Sequence, residues 1–363
     1  MSSPNSAHAL VLRKYLDSEV DSSVLKDSFA LKESPLPSPL PDDSLLVKTL
    51  YLSNDPVQRL WMQNPGDQHS GKRQGTLSVQ LEVPFDSFSL SEVRRVGGES
   101  DSIKVGDIVE GRTGWADYYV VKKDKVRVRS KVSGINLSAF LGSLGLSGAT
   151  AYFALIELLK VKVSDTLVVS GAAGVVGNVA VQYAKKILGV KRVVGIAGSD
   201  EKCSWLKSIG ADEALNYKSL TFTQDLAKAT PAKIDKFFDN VGGPVLDEVM
   251  ARLNPHAVVA VVGAISLYNK VDQPATIKNY VRLVLDRIAI IGFSLFDYID
   301  RLAEAEQALT SAAVEGKLIL DGTETVVDVH GDLEKIPHIW AGLFSGSNTG
   351  KLITKVADRK LLG

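Results

Sequence analysis

The first place where this chain can do chemistry is the turn Ser170-Gly171-Ala172-Ala173-Gly174-Val175-Val176-Gly177, an A-x-G-x-x-G arrangement with Val175 and Val176 between its last two glycines. At that spacing Gly174 lets the backbone approach a pyrophosphate at a helix N-terminus, and Gly177 lets the helix pack closely on its strand. A glycine triplet alone is weak evidence. Here, however, the run 166–170 predicts a strand before it and 176–186 predicts a helix after it, which is the βαβ context the motif needs. The expectation is a bound dinucleotide rather than a purely structural turn.

Which dinucleotide is read from the end of the next predicted strand, 192–197. NAD enzymes usually place an acidic residue there against the ribose 2′-hydroxyl. This chain instead has Gly195-Ile196-Ala197-Gly198-Ser199, small residues that leave space for a 2′-phosphate. Lys202 follows with a charge to pair with it. Asp200 and Glu201 speak for NAD, but they lie past the strand end and suit the first turn of a helix, where the dipole favours acids. NADPH is therefore the expected cofactor, and the alternative for Lys202 is a solvated helix lysine.

Metal chemistry is not expected. The chain has one cysteine, Cys203, and five histidines, His8, His69, His256, His330 and His338, scattered without ligand spacing. A zinc dehydrogenase needs a cluster of Cys, His and acidic ligands, so charge that develops during reaction must be met by hydrogen bonds. Cys203, on the predicted helix with Lys202, reads as structural, and Trp61, Trp115, Trp205 and Trp340 read as core or interface aromatics.

The elements that position these residues fall into two textures. Up to about residue 132, short β-like runs (45–52, 105–110, 118–121) alternate with Pro, Gly and Ser clusters, and the Pro-rich segment 34–41 reads as an extended connection. From about residue 135, strand-length apolar runs alternate with amphipathic helical stretches, the signature of a doubly wound α/β sheet. Its strands are expected at 166–170, 192–197, 236–239, 257–262 and 288–293, with helices at 176–186, 201–209 and 300–315. The tail returns to β-like sequence at 325–329 and 351–356. The expected division is 1–136 with 321–363 as a β-rich domain, and 137–320 as the nucleotide-binding domain.

The 363 residues are 45% hydrophobic and 23% charged, enough for two cores, and Lys plus Arg (42) balance Asp plus Glu (42). That balance gives no field to draw the chain to nucleic acid or an anionic membrane, and the longest apolar runs fall far short of the roughly 20 residues of a membrane helix. A small-molecule partner fits better. The single cysteine and the Ser-rich start favour the cytosol.

Several segments together resemble the zinc-independent medium-chain dehydrogenases/reductases, close to the prostaglandin reductase and plant double-bond reductase group. They are Tyr51-Leu-Ser-Asn-Asp-Pro-Val-Gln-Arg59, Gly148-Ala-Thr-Ala-Tyr-Phe153, the glycine-rich turn, Gly198-Ser-Asp-Glu-Lys202, Asn216-Tyr-Lys218, Phe238-Asp-Asn-Val-Gly-Gly243, Gly263-Ala-Ile-Ser-Leu-Tyr-Asn269 and Asn348-Thr-Gly-Lys351. The resemblance implies a GroES-like β-rich catalytic domain beside a Rossmann domain. It further implies that Lys202 and Tyr217 meet the adenosine phosphate end. Asn240, the run Val262, Gly263, Ala264, Ile265 and Ser266, the segment Phe293, Ser294 and Leu295, and Asn348 would line the rest of the cofactor. Asn348 would reach it from the other domain. Two departures border the expected substrate pocket: Val57-Gln58 stands where the family carries Tyr-Met, and 75–91 matches poorly.

The activity the resemblance implies is NADPH-dependent reduction of the carbon-carbon double bond of α,β-unsaturated ketones or aldehydes. Tyr268, just after a predicted strand, is the candidate catalytic donor, because a phenol is protonated at neutral pH and can hydrogen-bond a developing enolate. The rival is a Tyr268 that only holds the cofactor ribose while solvent supplies the proton. Tyr51, Asn54 and Tyr152 are candidates for the substrate pocket, with core packing as the alternative. Rival functions are a quinone reductase of the same superfamily, oxidation of a secondary alcohol, and a non-catalytic nucleotide-binding scaffold. The apolar strand 288–293 could extend the sheet across a two-fold axis, which predicts a homodimer.

Overall fold

A computed structural model of the chain describes residues 4–64, 79–100, 102–270 and 276–359. These form two compact units. One runs to Leu141 and includes Val326–Ser347 and the stretch from Leu352; the other comprises Gly142–Thr325 and Asn348–Lys351. The second unit thus takes residues 321–325 and 348–351, expected in the β-rich domain, and the first takes 137–141, expected in the nucleotide-binding domain.

The first unit is built on antiparallel strands. β1 (Ser6–Leu12) and β2 (Phe29–Pro35) form a two-stranded sheet, so the Pro-rich segment 34–41 begins as a strand end rather than wholly as a connection. β3 (Ser44–Ser53), β4 (Asp86–Val96), β5 (Ile108–Gly114), β6 (Tyr118–Lys122) and β7 (Val126–Val128) make most of a larger sheet, in which β3 pairs with both β4 and β6. Its core gathers Leu10, Leu12, Phe85 and Leu352 around Trp61, Trp115 and Trp340. The Phe85 and Trp115 ring centroids lie 4.5 Å apart, and the Trp340 indole N–H donates to the Asp55 carbonyl at 3.1 Å. Three of the four tryptophans are therefore core residues, and Trp205 is half-buried.

The second unit is a six-stranded parallel sheet. Its strands are β8 (Thr166–Val169), β9 (Arg192–Ala197), β10 (Glu213–Asn216), β11 (Ile234–Asp239), β12 (Leu253–Val261) and β13 (Ala289–Gly292), in the order β10-β9-β8-β11-β12-β13. Every residue of β8 is buried, as expected for a central strand covered on both faces. The order runs outward in both directions from β8, so the switch point lies between β8 and β11, where doubly wound sheets bind ligands. β14 (Glu324–Asp328) and β15 (Lys351–Lys355) complete the larger antiparallel sheet through the β15–β3 pairing. The helix expected at 176–186 is Val175–Gln182, continued by a wider π turn over Tyr183–Ile187.

Candidate active site

Because β8, β9, β11 and β12 are parallel, the segments that follow them emerge at one edge of the sheet. The turn after β8 delivers Gly174 as the N-cap of the helix Val175–Gln182, with extended backbone and no side-chain cap. The first N–H groups of a helix have no intrahelical acceptor and carry the positive end of its dipole. A Cβ at Gly174 would meet only the Gly171 carbonyl oxygen, at 3.3 Å, whereas at Gly177 it would lie 2.4 Å from that oxygen and 2.6 Å from the Ala172 Cα. The two glycines differ accordingly: Gly177 is closed against the turn that follows β8, and Gly174 leaves an uncapped helix start open. Val175 and Val176 are half-buried beside it. This cradle fits a pyrophosphate.

Asn348 stands beside the same turn. The Gly350 N–H donates to the Ala173 carbonyl at 2.7 Å and Gly350 bridges Gly174 in parallel. Asn348 Nδ2 donates to the Gly350 carbonyl at 2.7 Å. A Cβ at residue 350 would lie 1.9 Å from the Thr323 carbonyl oxygen, so glycine is required there. Asn348 belongs to the unit that carries the glycine-rich turn. The expectation that it reaches across from the other domain is corrected.

Past β9, Ser199 caps the helix Asp200–Ile209 by accepting the Lys202 N–H at 3.3 Å. Asp200, one of the two acids that speak for NAD, accepts from Asn216 Nδ2 at 2.9 Å. Lys202 is half-buried; burial, and after it the charge of Lys218, holds its ammonium below the usual lysine range. Lys218 Nζ sits 5.8 Å from the Tyr217 ring centroid, and a Cβ at Gly198 would lie 3.1 Å from Tyr217 Cε1 and 3.6 Å from Lys218 Cε. The Tyr217 ring and the Lys218 side chain thus approach the glycine at the strand end, and the charge of Lys218 acts on Lys202. Lys218 stands in the sequence only as the last residue of Asn216-Tyr-Lys218, and what marks it is a second cation beside the Tyr217 ring. Cys203 is buried, which pushes its thiol up from the usual range.

At the ends of β11 and β12 the loops are interlocked. Asn240 Nδ2 donates to the Ser170 carbonyl at 2.7 Å. Val262 and Gly263 N–H groups donate to the Asp239 carbonyl at 2.8 and 3.1 Å, the Ile265 N–H to the Asn240 carbonyl at 3.2 Å, and Ser266 Oγ to the Val241 carbonyl at 2.6 Å. The short helix Ile265–Tyr268 folds the phenol back, so that its oxygen accepts the Ala264 N–H at 3.0 Å. That leaves the phenol proton to be donated elsewhere. Burial first, and the Asp239 charge after it, raise the Tyr268 pKa above the ordinary phenol value of 10.0.

The remaining candidates separate. The Phe293 N–H donates to the Val261 carbonyl at 2.9 Å. Its ring stacks on Tyr298 (centroids 5.7 Å apart), which stacks on Phe153 (4.7 Å); Ser294 and Leu295 follow, half-buried. For Tyr152 the structure shows core packing, the alternative to a pocket wall. It is 8% exposed, its hydroxyl donates to Glu304 Oε1 at 2.9 Å, and burial together with that carboxylate pushes its pKa up to about 12. Asn54 is likewise a core residue, 1% exposed with Nδ2 donating to Thr354 Oγ1 at 2.9 Å. Tyr51 is half-buried in β3, packed beside Leu50, Leu90 and Ile353. Of the two departures, Gln58 is buried, its amide accepting the Asp55 N–H and donating to the Asp86 carbonyl, while Val57 is exposed. His69 and positions 75–78 of the poorly matching segment lie outside the described residues.

Comparison with known proteins places this arrangement. Residues 13–128 match a family model described as the N-terminal domain of oxidoreductase, and residues 175–312 one described as zinc-binding dehydrogenase. Over the second match the chain has one cysteine and one histidine, Cys203 and His256. The NADP(+)-dependent 2-alkenal reductase of Nicotiana tabacum is 35% identical over 87% of this chain and 88% of its own. The NADPH-dependent curcumin reductase of Escherichia coli is 32% identical over 95% of this chain and 96% of its own. The solved structure of CurA from Vibrio vulnificus in complex with NADPH superposes with a TM-score of 0.84 at 31% identity, covering 97% of this chain and 99% of that one. The chain belongs to the zinc-independent reductase group of the medium-chain dehydrogenase/reductase family.

Proposed function

We propose that this oxidoreductase uses NADPH to reduce the carbon-carbon double bond of α,β-unsaturated ketones and aldehydes. The reading rests on one observation: five neighbouring strand ends present, in order, a pair of lysines after β10 and β9, an open helix start after β8, an amide after β11 and a phenol after β12. That is the order of groups a dinucleotide with a 2′-phosphate needs. Relatives of this chain are named for the reduction of alkenals and curcumin, which supports the substrate class.

In this reading Lys202, with Tyr217 and Lys218, takes the 2′-phosphate, and Gly174, Val175, Val176 and Gly177 take the pyrophosphate. Asn240, the run 262–266, Phe293–Leu295 in number order and Asn348 flank the remainder. When bound, NADPH supplies the hydride that adds to the substrate β-carbon. The double-bond electrons move onto the carbonyl oxygen as an enolate, and Tyr268 donates a hydrogen bond to that oxygen. Its phenol, itself an acceptor for the Ala264 N–H, is polarised toward donation. A proton taken from solvent at the α-carbon completes the reduction.

Two further points belong to the proposal. Among the described residues β13 is an edge strand of the parallel sheet, and Tyr280, Val281, Val284, Leu285, Ile291 and Phe296 of the same unit are exposed. Exposed apolar residues on and around a strand with one open edge favour a second copy pairing edge to edge. Among the described residues no helix is long and apolar enough to cross a membrane, and we place the enzyme in the cytosol.

An acceptor panel run with NADPH and NADH in parallel tests the function. Turnover of enones or enals with NADPH is expected. Oxidation of NADPH by quinones with none by enones or enals would reject the substrate class, and tight NADPH binding without turnover on any acceptor would reject catalysis.

A further inference from the structure

The proposed chemistry gives no task to Asp239, yet its side chain is fully buried at the centre of the array. Its Oδ1 accepts from Ser170 Oγ at 2.6 Å and from the Val241 N–H at 3.0 Å, and the Gly242 N–H lies 3.1 Å from both oxygens. Ser170 Oγ in turn accepts the Asn240 N–H at 2.9 Å. The Asp239 carbonyl holds the N–H groups of Val262 and Gly263. One residue therefore ties together the chain segments that leave β8, β11 and β12.

A buried carboxylate is a costly way to close a turn unless its donors are strong and its placement matters. Burial pushes the Asp239 carboxyl up from its usual range, and the three donors pull against that shift. Its charge also acts on Tyr268, favouring the protonated phenol.

We infer that Asp239 is a positioning residue for the proposed reduction, its buried side chain tying Ser170, at the start of the glycine-rich turn, to the 241–242 turn after Asn240, and the carbonyls of residues 239–241 passing that register to the 262–266 loop. The inference rests on the reading of these strand ends as the NADPH site. Asp239 touches neither substrate nor cofactor in this scheme; it sets where Asn240 and Tyr268 stand relative to Gly174.

The test uses Asp239→Asn, which keeps the shape and turns one acceptor into a donor, and Ser170→Ala, a milder loss of one tie. Three quantities are measured: NADPH affinity by fluorescence titration, hydride transfer in a single turnover, and amide hydrogen exchange of the cofactor-free protein at 171–174, 241–243 and 264–268. Asp239→Asn should weaken NADPH binding about tenfold or more, the loss of one charge-assisted hydrogen bond. It should also slow transfer at saturating NADPH and speed exchange in all three segments together. Ser170→Ala should do the same more weakly, and the double variant should be little worse than Asp239→Asn. Faster exchange confined to 241–243, with affinity and transfer unchanged, overturns the proposal, as do fully additive effects of the two substitutions. A wild-type chain that binds no NADPH overturns the cofactor reading itself, and the exchange measurement, made without cofactor, tells that failure apart from an absent tie.

Discussion

Replacing Lys202 with alanine asks whether the end of β9 reads a 2′-phosphate. Lys202 is half-buried, and both its burial and the nearby charge of Lys218 disfavour its ammonium form. An anion between the two lysines relieves the second of these costs and gains a charge-assisted hydrogen bond from the first. Such a bond contributes about 1.5–3 kcal/mol, so Lys202→Ala should raise the NADPH dissociation constant roughly 10- to 100-fold. NADH has no 2′-phosphate and should bind as before. Lys218→Ala should cost only a few-fold by the same reasoning, since Lys218 is exposed and solvent screens its charge. The assay is fluorescence titration with each cofactor at two ionic strengths, and the salt dependence of NADPH binding should shrink in Lys202→Ala. An equal loss for NADH and NADPH, or no loss for either, would refute the assignment of the phosphate to this strand end.

Tyr268→Phe removes the phenol and leaves the Ala264 N–H without its acceptor; turnover should fall about 100-fold or more with NADPH affinity nearly unchanged, whereas a defect confined to NADPH binding would reduce Tyr268 to a ribose contact. Because its pKa is raised above 10.0, the phenol stays protonated through and beyond that pH, so the kcat profile should show no alkaline break below it. Gly177→Ala drives a Cβ to within 2.4 Å of the Gly171 carbonyl oxygen and should lower stability by about 1–3 kcal/mol in a denaturant melt. Gly174→Ala should melt like wild type and lose NADPH affinity, and equal melting of the two variants would contradict the packing of the turn. Ile291→Lys places a charge on the exposed edge of β13; light scattering should show a wild-type dimer becoming a monomer, and a monomeric wild type would dispose of the edge pairing.

The parts of this architecture that could be read from the sequence are those held by local chemistry. β9 lies at 192–197 as the apolar run predicts, because a central strand buried on both faces needs such a run. β10 went unread: Glu-Ala-Leu-Asn has no strand-like pattern, and it is a strand because Glu213–Asn216 pairs with Val194–Ala197. The side-chain roles that misled were set by distant partners. Nothing near Tyr152 announces Glu304, 152 positions on, and nothing near Asn54 announces Thr354, 300 positions on. Asp239 was overlooked for a different reason. It stands in the quoted segment beside Asn240, but its value lies in a tie to Ser170, 69 positions earlier, which only the parallel pairing of β8 with β11 brings about.

The strand order carries a further consequence. β9, β8, β11 and β12 are consecutive neighbours, and at about 4.8 Å per strand the ends of β9 and β12 stand roughly 14 Å apart. The glycine-rich turn of β8 lies between them, so the proposed cofactor is laid across the sheet with its pyrophosphate over β8, its 2′-phosphate at Lys202 and its reacting end toward Tyr268. Groups that far apart without shared partners act independently, to within about 0.5 kcal/mol. Lys202→Ala should therefore change which cofactor is chosen while leaving single-turnover transfer at saturation intact, and Tyr268→Phe should do the reverse. The double variant should show both losses in full. Asp239→Asn, tied to the turn on one side and acting electrostatically on Tyr268 on the other, should instead couple with Tyr268→Phe. Strong coupling between Lys202→Ala and Tyr268→Phe would mean that the two ends do not lie on one extended ligand, and the sheet order would lose its functional reading.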